Sequence, residues 1–414
     1  MADLRTTTRT IPASEAVRKE RLPELEMLRG LAILGVLTVH ATSSAVVAVQ
    51  NSWVRDAYVA LNAFSLFCVP AFIFLTGFVL FYNYVDRPMT RSGLGAFYGK
   101  RLKQLVVPYI LVSLGYELAV SALKHRSWEP ADILGRFGKH LLNGGAYPHL
   151  YYVIITIQLY VLFPLLLPLF RKLRLPAACA IPLGFGAQWA FYLLHLNVWH
   201  LEAKGSWSLT YFAAFLLGAY GGMRPDALKS WLGVGDQSRG RGGKRRFGLI
   251  AALWLAVTAC FLRMHVAYRS GGTVPEGYWF EIGYNLFTLL TTLVLLGACF
   301  RLVKGRMARK PSAVLADLGA LSFGVYLVHP FFLLLYHRHP PASATPLVYH
   351  LWTAGGFVFA LGASLLVLLP AHRYVRGAWL VLGPAPLKFG PKPKAEAAQE
   401  GTSAAEVRLK EATE

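Results

Sequence analysis

The sequence predicts an all-α fold: a polytopic membrane bundle of about ten transmembrane helices with both termini in the cytoplasm. Three observations predict it. The 414 residues are 55% hydrophobic and only 15% charged, with a mean hydropathy of +0.44, which excludes a disordered, fibrous or soluble globular chain. Apolar runs close to the roughly 20 residues that cross a bilayer recur along the whole length. The 42 Lys and Arg exceed the 21 Asp and Glu, giving a net charge of +21. Because these cations lie between apolar runs, they read as cytoplasmic loops and not as a nucleic-acid surface.

The runs lie near residues 30–49, 59–82, 105–122, 150–170, 176–196, 207–222, 247–266, 281–300, 316–336 and 348–370. The sixth is the shortest and holds several glycines. With the N-terminus inside, the segments expected in the cytoplasm carry most of the Lys and Arg, as the positive-inside rule requires of short loops. Residues 1–28 form a polar leader before an uncleaved first helix, 29–370 an integral membrane domain, and 371–414 a cytoplasmic, largely disordered tail. The Gly-, Arg- and Ser-rich loop 233–244 is expected to be flexible. Cys68, Cys179, Cys260 and Cys299 all fall within apolar runs without paired spacing, so they are expected to be buried hydrophobes with no disulfide or metal role.

Ionisable side chains within spans need a reason, since each costs roughly 2.5–3.5 kcal/mol on insertion scales. In the first span, Arg29 and His40 are eleven residues apart, so they fall within about 20° on one helix face with His40 about 16 Å deeper. This places a cation at the cytoplasmic boundary and an imidazole near mid-membrane. The third span opens on Lys100, Arg101 and Lys103. These satisfy the positive-inside rule and would equally suit a polyphosphate. Glu117, deeper in that span, should be paired, protonated or facing water. His149 and Tyr152 begin the fourth span, as an aromatic belt or as substrate lining. Ser322, Tyr326 and His329 form a helical stripe in the ninth, a pattern that more often joins helices than performs chemistry. His337 and His339 beyond it lack a third metal ligand in the sequence.

Together these motifs resemble the acyltransferase-3 family of integral membrane acyltransferases, over about residues 22–370. The resemblance rests on the Arg29-x10-His40 pattern preceded by Glu26, the basic stretch running from Lys100 to Pro108-Tyr109, the His149-Leu-Tyr-Tyr start of the fourth span, and Ser-Phe-Gly-Val-Tyr-Leu-Val-His-Pro from Ser322. Its wording is most similar to the polysaccharide intercellular-adhesion branch. The resemblance implies acyl transfer, acetyl or succinyl, from cytoplasmic acyl-CoA to a hydroxyl of a cell-envelope glycan or related acceptor, by a multi-pass protein of the inner (plasma) membrane. His40 would be the catalytic histidine, its ordinary pKa of about 6.5 suiting a general base. Arg29 would be its functional partner, and Lys100, Arg101 and Lys103 would bind the donor. Many relatives carry Arg-x-x-Arg where this chain has Arg101 and Gln104, a departure bearing on donor binding. Glu117, His149, Tyr152, Ser322, Tyr326 and His329 are expected to line the substrate path; no metal and no nucleic-acid partner is expected. A transporter or flippase of a polysaccharide or lipid-linked intermediate would use the same intramembrane polar groups, although no paired broken helices mark two matching halves.

Overall fold

The computed structural model describes residues 19–385, apart from 21, 51, 174–176, 235–240, 274–275, 305–308 and 342–345, together with 389. Most of the expected leader, half of the expected flexible loop and most of the expected disordered tail therefore lie outside the described residues. Among those described, every regular element is helical. Nine helices among the described residues are long and apolar enough to cross a membrane, Trp53–Tyr84 and Arg91–Leu123 each counting as one.

Helix α1 (Pro23–Ala48) starts earlier than expected, with Pro23 in the first turn and Glu24 and Glu26 beside its N-terminal dipole. We call this end inner, since most Lys and Arg lie there. Helices α2 (Trp53–Ser65) and α3 (Cys68–Tyr84) form one spanning unit, interrupted where Pro70 cannot donate to the Leu66 carbonyl. Ser52 caps α2 by accepting from the Arg55 amide at 3.4 Å. Helix α4 (Arg91–Arg101), capped by Thr90 on the Gly93 amide at 3.1 Å, continues into α5 (Val107–Leu123) through a π turn at Leu102–Val106. The cause is again a proline: Pro108 offers no amide to the Gln104 carbonyl, and the wider turn lets the Val107 amide reach Leu102.

Helix α6 (Pro130–Asn143) lies between spans and ends at Gly144, whose φ of +74° only glycine adopts readily. Then follow α7 (Tyr151–Leu173), α8 (Ala177–Leu194) and α9 (Phe212–Met223). The sixth expected span differs most from expectation, because α9 has only 12 residues. The preceding chain is drawn into 3-10 turns at Lys204–Ser206 and Ser208–Tyr211 by Gln158 of α7, which donates to the Ser206 carbonyl at 3.0 Å and accepts from the Ser208 amide at 2.7 Å. Helix α9 is buried almost all round, running alongside α3 where Gly77, Gly218 and Gly222 let the two backbones meet.

After α10 (Pro225–Trp231) come the long helices α11 (Arg241–Arg269), α12 (Gly277–Lys304), α13 (Arg309–Tyr336) and α14 (Pro346–Tyr374), and a short α15 (Trp379–Leu382). Helices α1 and α13 cross in the centre at Gly30 and Gly319. Ordered structure passes the expected limit at residue 370: α15 packs on α5 and α13, with Ala378 and Leu382 buried. The cysteines divide, with Cys68 and Cys299 buried but Cys179 and Cys260 exposed, because α8 and α11 turn broad faces outward. At the inner end Arg171 holds the C-terminus of α3 and the turn after it, donating to the carbonyls of Tyr84, Val85 and Arg87.

Candidate active site

Two polar regions lie one above the other along α1 and α13. The lower is a cleft of about 250 Å³ lined by residues that include Arg29, Arg101, Gln104, Tyr152, Ser322 and Tyr326. Gln104 and Pro384 also line an adjoining pocket of about 550 Å³ that carries Lys100, Lys103 and Trp379. The π turn serves this arrangement: it sits among Lys103 and Gln104, between the two spaces, where such turns often mark functional positions. Arg29 is ion-paired with Glu26 at 2.8 Å, one turn earlier on its own helix. The Arg101 guanidinium lies 4.6 Å from the Tyr160 ring centre, and its Nε is buried without a hydrogen-bond partner.

The upper region is a triangle of imidazoles. His40 of α1 lies 5.3 Å from His329 of α13 and 6.3 Å from His149, which precedes α7; His149 and His329 are 5.8 Å apart, all between ring centres. His40 is partly exposed and faces this cluster. It stands eight residues from Ala48, so about 12 Å from the outer end of α1 and beyond the helix midpoint. The turn that carries it is braced by Asn62 of α2, whose amide donates to the Val39 carbonyl at 2.9 Å and to Thr42 at 3.0 Å. His329 is 0% exposed and His149 2%. The Nδ1–H of His329 donates to the Val325 carbonyl at 2.9 Å, which leaves Nε2 as an unpartnered acceptor.

Tyr326 joins the two regions. Its ring borders the cleft and lies 5.0 Å from that of His149, while its hydroxyl donates to the His149 carbonyl. Thus the stripe Ser322, Tyr326, His329 runs from cleft to triangle along one face of α13. His40 itself does not line the cleft, which reaches the triangle through Tyr326 and its neighbour His149.

Glu117 is placed elsewhere. Buried at 1% exposure, it accepts from Arg136 Nε at 2.8 Å and pairs with His140 at 2.8 Å, both on α6. With the Tyr109 hydroxyl donating to the Leu141 carbonyl at 2.7 Å, it ties α6 to α5 and steadies the Gly144–Leu150 turn that presents His149. Glu117→Gln is therefore expected to cost about 3 kcal/mol, as breaking a buried ion pair does, read as a lowered thermal midpoint in detergent.

Sequence reading missed Phe72, Thr76, Thr156, Tyr160, Trp379 and Pro384 as cleft or pocket residues. Tyr152, Thr156 and Tyr160 form a readable stripe at four-residue spacing. Trp379 and Pro384 gave no signal, since they follow the last apolar run.

The fold is that of a many-helix membrane protein with a basic cleft beneath a histidine cluster. Residues 22–369 match the family model for the acyltransferase domain of the acyltransferase-3 type. The chain belongs to that family and is an acyltransferase of the membrane. Searches of curated proteins and of solved structures find no match.

Proposed function

We propose that the protein is an O-acyltransferase of the plasma membrane that moves a short acyl group, acetyl or succinyl, from acyl-CoA to a hydroxyl of a cell-envelope glycan, with His40 as general base. The observation that carries this reading is the continuous polar stripe of α13, which leads from the basic cleft to the ring beside His40. The pocket with Lys100 and Lys103 suits the nucleotide phosphates, since each ammonium is a point charge for phosphate oxygens. Arg101 and Arg29 lie further in, where they hold the donor against Gln104 and Tyr160. The aromatic walls then guide the thiol arm to Tyr152 and Tyr326.

A hydroxyl attacks a thioester slowly unless a base takes its proton during attack. In this scheme His40 accepts that proton and returns it to the departing sulfur. Arg29 is about three helical turns below, so its role is to hold the donor and not to touch the reacting oxygen.

Purified protein in vesicles, given isotope-labelled acyl-CoA and envelope glycan, is expected to place label on the glycan. Passage of unlabelled glycan across the bilayer without incorporation would instead support the transporter reading. Gln104→Arg, which restores a second guanidinium at the junction of the two spaces, is expected to lower the donor KM about tenfold through one charge-assisted hydrogen bond, with kcat unchanged. An unaltered KM would remove Gln104 from the donor path.

A further inference from the structure

His149 carries two ring nitrogens, and both are buried without a hydrogen-bond partner. A buried polar group left unpaired is costly, and such groups call for a ligand, water or mechanistic role. Burial beside two further imidazoles disfavours a charge on the His149 ring, which leaves it neutral with one N–H to give. The Leu327 carbonyl nearby already accepts from the Tyr116 hydroxyl at 3.0 Å and lies off the line of a well-formed hydrogen bond from the ring. The ring cannot easily turn away: Tyr116, Tyr147 and Tyr326 pack it at 5.2, 5.7 and 5.0 Å between ring centres, and its backbone carbonyl is held by the Tyr326 hydroxyl. His149 therefore presents a fixed donor with no well-formed hydrogen bond in the resting protein, where the cleft's innermost ring meets the His40 cluster.

We propose that His149 is the hydrogen-bond donor to the acyl carbonyl oxygen as that oxygen becomes anionic. This rests on the acyl-transfer reading above and supplies what Arg29 is too distant to give. The acceptor hydroxyl oxygen forms a bond to the thioester carbon, the carbonyl π pair moves onto its oxygen, and the hydroxyl proton passes to His40. The carbonyl then re-forms, the C–S bond breaks with its pair on sulfur, and His40 returns the proton to give the CoA thiol and the ester. His149 keeps its proton throughout and only shares it with the oxyanion. His329, whose N–H is committed to Val325, offers an acceptor and cannot take this role.

Two variants separate donation from packing. His149→Phe keeps a planar ring without a donor; His149→Asn keeps an N–H donor. The Phe variant is expected to lose about 10²- to 10³-fold in kcat, the usual cost of one oxyanion donor, with both KM values within a few-fold and a thermal midpoint equal to or above wild type, because two orphaned nitrogens disappear. The Asn variant is expected to recover part of that loss. A dithioester donor, whose sulfur accepts hydrogen bonds poorly, should narrow the gap between wild type and the Phe variant about tenfold, the worth of one charge-assisted hydrogen bond. Wild-type kcat in the Phe variant, an Asn variant no faster than the Phe variant, or a gap unchanged on the dithioester would each overturn the assignment. Failure of wild type itself to transfer acyl groups would instead overturn the reading on which it rests.

Discussion

His40→Ala, inserted and folded as wild type, is expected to lose about 10²- to 10⁴-fold in kcat for acyl transfer, the range that a positioned general base contributes. The donor KM should stay within a few-fold, because on the proposed scheme the imidazole acts on the acceptor proton and the donor is gripped lower down, by Arg29 and Arg101 in the cleft. The converse holds for Arg29→Gln. That change leaves Glu26 without its 2.8 Å partner, so it should raise donor KM more than it lowers kcat. Steady-state kinetics with labelled acyl-CoA in proteoliposomes separate the two effects. Equal loss of kcat in both variants, with both KM values unmoved, would contradict the division of labour between cleft and triangle.

Gly319→Val is expected to prevent stable assembly. A β-carbon at Gly319 would collide with the Glu26 carbonyl oxygen and come within 2.9 Å of the Gly30 amide nitrogen. These are backbone atoms of α1, and a helix axis yields far less readily than a side chain. Overpacking a rigid contact costs about 1–3 kcal/mol or more. Here it would also move Arg29 and His40 relative to Ser322, Tyr326 and His329, because all five sit on the two helices that cross at this point. Gly362→Ala in α14, where an added Cβ meets nothing within 4 Å, is the control and should be neutral or mildly stabilising. Monodispersity and thermal midpoint in detergent distinguish the two; a Gly319→Val protein as stable as wild type would mean that α1 and α13 do not touch through their backbones.

Composition and hydrophobic run length suffice to read most of the bundle from the sequence, because in a bilayer every backbone amide must be satisfied within its own segment. They fail at α9, where a buried helix is short because Gln158 clamps the chain before it, a tertiary contact invisible to hydropathy. They also fail at α15, which is too brief to register as a span yet walls the cleft region. Periodicity placed Arg29 with His40, and Ser322 with Tyr326 and His329, each on its own helix face. It could not show that the two faces oppose each other, since that follows from the glycine crossing of α1 and α13. The nearness of His149 to both depends on the turn after α6 and on the Glu117 cluster that steadies it. Glu117 itself was expected on the substrate path because a buried carboxylate needs a reason; the reason the structure gives is an ion pair with Arg136 and His140.

On the proposed scheme the donor enters from one face of the membrane. Vesicles bearing the protein in a single orientation, with labelled acyl-CoA supplied to one side at a time, test this directly. The account predicts label on the acceptor only when the donor is given to the side that exposes Lys100 and Lys103. Incorporation from the opposite side alone, or from neither side with acceptor present on both, would contradict it.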